Sequence, residues 1–188
     1  MSGGCGDAHR RRDRGCYSIG LMTDELHVEP LGLDILAITT CLVIDVEAFP
    51  RPALVLPRDV TRRGSQVWVC RSGATGEILG FLAAHRVGDT LHLSALAAGA
   101  AYRRRGVGRA LLATAVAHAK KQRLARVALE VHKDNEAAIL LYENQGFSPV
   151  KTLPSYYGRG QHALALVLDT RPQRSSRAAK LRSRGGQG

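Results

Sequence analysis

Hydrophobic and polar positions along the chain change period several times, and the changes mark the elements. Residues 26–31 alternate with a period of two, the pattern of a strand, whereas 33–47 carry an apolar stripe with Asp34, Asp45 and Glu47 off it, the pattern of a helix. That helix is rich in Ile, Thr and Val, so a strand is also compatible there. Pro50, Pro52 and Pro57 break regular structure, leaving 49–66 as a loop or short helix. Residues 67–71 and 78–87 read as strands joined by a Ser-Gly-Ala-Thr-Gly hairpin loop, and Gly88-Asp89 turns the chain into a strand over 90–98. From 107 to 121 the period lengthens: Leu111, Ala115 and Ala119 recur at i+4, with Leu112 and Val116 beside them, as on the core face of a helix. A buried-type strand follows over 126–132, then a helix over 135–145 with Gly146 as its C-cap. Residues 147–153 and 162–169 predict two closing strands around a Tyr-Tyr-Gly-Arg-Gly loop. Strands interleaved with helices make this an α/β chain.

Composition and charge sharpen that picture mainly at the ends. A length of 188 residues suits one domain with a real core, and 45% apolar content is ordinary for a globular protein. The formal charge of +11 is uneven. Residues 1–20 carry four Arg against two Asp, residues 170–188 carry five Arg and one Lys with no acid, and 21–169 hold 17 basic against 14 acidic residues. The expected organisation is a disordered segment over 1–20, a domain over 21–169 and a basic disordered tail over 170–188. Such tails suit association with the ribosome or another nucleic-acid partner. Cys5, Cys16, Cys41 and Cys70 have neither C-x-x-C pairing nor a neighbouring His at ligand spacing, which points to reduced thiols and no metal site. No apolar run reaches the ~20 residues of a membrane helix, and no apolar segment follows the N-terminal arginines as in a secretory signal. The expectation is a soluble, cytoplasmic protein without a membrane partner.

The chemistry concentrates where the apolar run 91–98 ends in small residues and meets Arg103, Arg104 and Arg105, then Gly106, Val107 and Gly108 at the opening of the long helix. The first N–H groups of a helix lack internal partners and carry partial positive charge, glycines let a bulky anion approach the backbone, and guanidinium pairs well with phosphate. A plain solvated basic turn is the alternative. The stretch lacks the third glycine of the dinucleotide fingerprint, where Leu111 stands, and the Gly-Lys-Ser/Thr of a phosphate loop. Arg103-x-x-Gly106-x-Gly108 after a strand and opening a helix resembles the pyrophosphate-binding signature of the GNAT acetyltransferase superfamily. That resemblance implies a mixed, mostly antiparallel sheet of about seven strands flanked by helices. It also implies acetyl-CoA as co-substrate, with Leu96, Ala97 and Ala98 alongside the pantetheine arm and 103–108 at the pyrophosphate.

The segment 129–147 carries the second set of candidates. Strand alternation puts Val127, Leu129 and Val131 on one face and Ala128, Glu130 and His132 on the other. Glu130 is then either a strand-end acid reaching solvent or an Arg, or a base whose pKa burial raises toward neutrality. His132 is a second candidate base, Asn135 or Asp134 a helix N-cap, and Tyr142 a core aromatic whose phenol needs a partner. Leu-Glu-Val, Asn-Glu-Ala-Ala-Ile, Leu-Tyr-Glu and Gly-Phe in this segment resemble the ribosomal-protein alanine N-acetyltransferases and the catalytic subunits of protein N-terminal acetyltransferases. The resemblance implies Glu130 as general base, Tyr142 as proton donor to the departing CoA sulfur, and Asn135 near the CoA arm. It further implies Tyr156 and Tyr157 as one lip over an acceptor peptide and Phe49-Pro50 as the opposite lip. The chain departs from the family at Ala98, where a larger β-branched residue is usual, and at Gly99-Ala100, where a polar residue and Pro are usual. The implied activity is acetyl transfer to a primary amine, first of all a protein N-terminus. The alternatives are a small-molecule amine or lysine acetyltransferase, or a basic ribosome- or nucleic-acid-associated protein with an idle domain.

Overall fold

The computed structural model describes residues 17–19, 25–49 and 64–171. Expectations for Cys5, Cys16, Pro50, the rest of 50–63 and the tail over 172–188 fall outside these residues. In chain order the elements are β1 (Tyr17–Ile19), β2 (Leu26–Pro30), α1 (Ile35–Ala48), β3 (Ser65–Ser72), β4 (Ile78–Val87), β5 (Thr90–Ala98), α2 (Val107–Lys121), β6 (Arg126–His132), α3 (Glu136–Glu143), β7 (Ser148–Gly158) and β8 (Gln161–Asp169). The strands form one mixed sheet in the order β1-β2-β3-β4-β5-β6-β8-β7. Among the described residues, no helix is long and apolar enough to cross a membrane.

Two compact units divide the chain, Met1–Ala83 with Ala95–Thr114, and Ala84–Ser94 with Ala115–Gly188, so β4, β5 and α2 each contribute to both. In the first unit, α1 starts where Asp34 accepts a hydrogen bond from the Leu36 N–H at 2.9 Å. Thr39 and Thr40 donate their hydroxyls to the Ile35 and Leu36 carbonyls, which lets these β-branched residues sit in a helix with their side-chain oxygens bonded. Ala37, Cys41 and Ile44 pack with Val69, Ile78, Phe81, Ala83, Ala95 and Ala97 in one cluster. Ile35, Leu36, Val43 and Val46 remain exposed on the helix, which is why its sequence stripe is broad. Tyr17–Ile19 pairs antiparallel with β2, so the expectation of a structureless 1–20 is corrected at these three residues by backbone pairing to a strand edge.

In the second unit, β6 lies parallel to β5, from Thr90↔Arg126 to Leu93↔Leu129, and antiparallel to β8, from Arg126↔Asp169 to His132↔Ala163. Val127, Leu129 and Val131 are buried, while Ala128, Glu130 and His132 are half-buried, as the alternation requires. Two expectations need correction here. The C-cap of α3 is Asn144, in a right-handed conformation, and Gly146 comes two residues later at φ 90°, where it frees the Phe147 N–H to bond the Tyr142 carbonyl at 3.1 Å. Tyr156 and Tyr157 lie within β7 rather than in a loop, because the strand resumes pairing at Gly158↔Gln161 after an irregularity that begins beyond Leu153.

Candidate active site

In the first unit the anion turn is built as its residues require. The Gly99 N–H bonds the Leu79 carbonyl at 3.0 Å, a short 3₁₀ turn spans Ala100–Tyr102, and α2 opens at Val107 with the Ala110 N–H on the Gly106 carbonyl at 2.9 Å. Between them Arg103, Arg104 and Arg105 are exposed, with Arg104 at φ 64° and Gly106 at φ 85°. The Tyr102 hydroxyl donates to Glu77 at 2.5 Å, and the Arg105 guanidinium lies 5.8 Å from the Tyr102 ring centre. No acid occupies the first turn of α2. A helix opening, whose first N–H groups have no partner within the helix, three exposed guanidinium groups and a left-handed glycine fit a pyrophosphate. Val107 is buried and anchors the turn, whereas Gly108 is half-buried. Ala97 is buried, with Leu96 and Ala98 half-buried on alternate positions, so Ala97 can offer a ligand only its backbone. Gly80 explains how closely β5 is approached: a Cβ there would stand 2.5 Å from the Ala97 carbonyl oxygen and 2.8 Å from Val107 Cγ1. Acetyl-CoA should raise the melting temperature of the wild-type chain, and Gly106→Asp should abolish that rise, since it puts a side chain at a left-handed position and repels phosphate; thermal melts with and without the ligand measure it.

In the second unit, Glu130 is the centre of a hydrogen-bonded cluster. Its Oε2 lies 2.9 Å from His92 Nε2 and accepts from the Tyr156 hydroxyl at 3.4 Å, while its backbone carbonyl accepts from the Tyr157 hydroxyl at 3.1 Å. The His85 ring stands 5.0 Å from the His92 ring, with its Nδ1 3.4 Å from Ser94 Oγ. The expectation that burial raises the Glu130 pKa is overturned. The hydrogen bond from His92 outweighs desolvation and, with Tyr156 and the charges of His92 and His85, holds the carboxyl below its usual range. His92 Nδ1 is buried without a hydrogen-bond partner among the described residues.

His132 is poorly arranged as the alternative base. Its Nδ1 accepts the Asp134 N–H at 3.3 Å, so the neutral ring carries its proton on Nε2 and has no free lone pair there. The ring stacks on Tyr157 at 5.8 Å. Asn135, not Asp134, caps α3, accepting from the Ala138 N–H at 3.2 Å, which leaves its amide nitrogen for any further contact. Tyr142 is buried, with its ring centre 5.8 Å from that of Phe147. Burial pushes its phenol pKa well above the ordinary value, with Tyr157 adding to the shift. Burial likewise raises Tyr157 to about 12. Phe49 packs half-buried against the apolar cluster of the first unit, and Pro50 lies outside the described residues.

Residues 38–147 match the Acetyltransferase (GNAT) family. The chain belongs to that family. Over 82 residues it is 37% identical to the [ribosomal protein bS18]-alanine N-acetyltransferase of Escherichia coli K12, covering 44% of this chain and 55% of that protein. Over 77 residues it is 41% identical to an N-alpha-acetyltransferase of Sulfurisphaera tokodaii, covering 40% and 46%. The chain thus spans about half the length of the curated relatives it matches. The crystal structure of the Escherichia coli ribosomal-protein-S18-alanine N-acetyltransferase superposes with a TM-score of 0.67 at 25% identity, over 78% of this chain and 95% of that one. Arabidopsis thaliana NAA60 shares the fold, with a TM-score of 0.64 at 20% identity over 76% and 97%.

Within this GNAT chain, the structure brings Tyr156 and Tyr157 to Glu130 and adds His92, neither of which the sequence revealed. The only sequence signal for His92 was its position: a polar residue at an outward site of a strand otherwise closed by Leu91 and Leu93. Among the described residues, no group of three or more His, Cys, Asp or Glu is placed to hold a metal ion. Cys41 and Cys70 are buried free thiols whose pKa values burial raises to about 12 and about 11.

Proposed function

We propose that this chain transfers acetyl from acetyl-CoA to the α-amine of protein N-termini. The observation that carries the reading is the Glu130 cluster: a carboxylate bonded to His92 and to the Tyr156 hydroxyl, with the Tyr157 hydroxyl on the same residue's backbone carbonyl. A carboxylate below its usual range is a weak base. Taking a proton from a lysine-type ammonium, pKa about 10.4, is steeply uphill for such a group, whereas α-amines near 7.7–8.0 are already about a quarter to two-fifths neutral at pH 7.5. The site therefore favours the less basic amine. The names of the bacterial and archaeal relatives, an alanine N-acetyltransferase and an N-alpha-acetyltransferase, support the same choice.

When bound, acetyl-CoA supplies an activated thioester. Arg103, Arg104, Arg105 and the N–H groups after Gly106 would hold its pyrophosphate, and the backbone of Leu96, Ala97 and Ala98 would meet its pantetheine arm. Glu130 orients the acceptor ammonium and receives the proton it sheds. Tyr142, still protonated well above neutral pH, meets the leaving sulfur as a donor. Tyr156 and Tyr157 flank the acceptor backbone. The acid-free cationic run over 170–188 supports an acceptor met at the ribosome, in the cytoplasm.

The deciding experiment is acetyl-CoA turnover against short peptides with varied first residues, the same peptides with blocked N-termini, free lysine and spermidine. Turnover confined to unblocked peptides is expected. Equal rates on blocked peptides that retain an internal lysine, or activity on spermidine alone, would replace this acceptor with a side-chain or small-molecule amine.

A further inference from the structure

Two consecutive strand residues point to opposite faces of a sheet, so Tyr156 and Tyr157 in a regular strand could not both reach Glu130. In this chain they do: the Tyr156 hydroxyl lies 3.4 Å from Glu130 Oε2 and the Tyr157 hydroxyl 3.1 Å from the Glu130 carbonyl oxygen, with the two rings edge to face at 4.9 Å. The cause lies in the register of β7 against β8. Pairing runs to Leu153↔Ala163 and resumes at Gly158↔Gln161, so residues 154–157 of β7 stand opposite His162 alone. The chain absorbs the surplus by turning Ser155 to φ 52°, a left-handed conformation uncommon for a residue with a side chain.

Such a bulge needs something to hold it, and His162 supplies the partner. The Ser155 N–H, which has no ladder carbonyl in this register, donates to His162 Nδ1 at 3.2 Å. A backbone N–H can only donate, so Nδ1 is the bare nitrogen and the ring proton resides on Nε2. The His162 carbonyl is itself fixed by the Lys133 N–H at 3.1 Å, tying the residue to the segment just past β6, the strand that bears Glu130.

We infer that His162 is a positioning residue for the acceptor: by accepting the Ser155 N–H on Nδ1 it sets the β7 bulge that brings both tyrosines to Glu130. The inference rests on the reading of Tyr156 and Tyr157 as the acceptor lip. His162 touches no reacting atom, and its influence passes entirely through the backbone at 155.

Two substitutions separate this role from a general contribution to folding. His162→Asn places a carbonyl oxygen near the site of Nδ1, whereas His162→Gln moves the polar group out toward Nε2. With the full chain and the best amine acceptor from the panel above, His162→Asn should stay within about twofold of the wild-type acceptor KM. His162→Gln should raise that KM about fivefold to tenfold, the scale of one hydrogen bond, and leave the acetyl-CoA KM within twofold. In a Tyr156→Phe/Tyr157→Phe background the Gln effect should shrink to less than twofold, because both lip hydroxyls are already gone. Equal behaviour of Asn and Gln overturns the inference, as does an undiminished Gln effect in that double-Phe background. A Gln variant with no thermal transition also counts against it, since His162 would then be holding the fold. If the wild-type chain acts only on a small amine, the N-terminal reading fails, while the Asn–Gln contrast on that amine still decides the role of His162.

Discussion

Glu130→Gln should lower kcat/KM on an N-terminal peptide by about 10²–10⁴-fold, the usual range for loss of a general acid or base, and the loss should shrink as pH rises. Glutamine nearly preserves volume but cannot accept a proton, so turnover then waits for acceptor that is already neutral. That fraction grows through pH 8 toward 10, given α-amine pKa values of about 7.7–8.0. Tyr142→Phe should cost a similar factor with no recovery at high pH, because what it removes is a donor to the leaving sulfur. The acid limb carries its own sign. His92 is the largest cause lowering the Glu130 pKa, so the wild-type carboxylate is ionised throughout the neutral range and protonates only below the ordinary carboxyl range. His92→Phe should therefore shift the acid limb upward. The measurement is turnover from pH 5 to 10, with melts to verify folding. If Glu130→Gln keeps wild-type rates while His132→Ala is inactive, the proton acceptor is His132 and the cluster around Glu130 is structural.

Gly80→Val is the substitution expected to damage stability most. The first added carbon already lies 2.5 Å from the Ala97 carbonyl oxygen, 2.8 Å from Val107 Cγ1 and 3.1 Å from Ala98 Cα, and two of these neighbours are backbone with no rotamer to yield. Overpacking of this kind costs typically 1–3 kcal/mol, and valine's two further methyls put it at the upper end, about 3 kcal/mol. For a chain of this size that lowers the melting temperature by roughly 6–12 °C. Because the displaced backbone is the 97–98 segment, affinity for acetyl-CoA should fall as well, measured by calorimetric titration below the melting transition. Gly32→Ala is the matched control: its added methyl meets nothing within 4 Å and its φ is not left-handed, so it should melt close to wild type. A Gly80→Val chain that melts normally and binds normally would mean that β4 and β5 leave more room at this position than those distances allow.

Much of this site could be read from residues alone because the signals were local. The i+4 stripe of α2, the glycine–arginine turn and the alternation around Glu130 each involve neighbours a few positions apart, where period and turn chemistry act directly. What stayed hidden depended on pairing. His92 reaches Glu130 across 38 positions, and a histidine at an outward strand site carries no mark of its partner. Without that partner, the reading of Glu130 as a raised base rested on burial, which pushes its pKa the other way. Tyr156 and Tyr157 looked like loop residues because Gly158 and Gly160 punctuate the sequence there; the turn is confined to 159–160, and the irregularity lies upstream at Ser155. A bulge is a mismatch between two strands, so neither strand shows it alone.

The pairing of β5 with β6 also has a consequence in time. Parallel strands cannot be joined by a hairpin, and here the crossover runs through α2 before Arg126 can lie beside Thr90. A ribosome releases His92 well before Glu130, Glu130 26 residues before Tyr156, and β8 last of the strands. Until β8 has emerged, β6 lacks its antiparallel neighbour and His162 is not yet there to receive Ser155. The cluster around Glu130 is thus completed only once β8 has been made, and a nascent chain stalled before Gln161 would already hold the glycine–arginine turn but not that cluster.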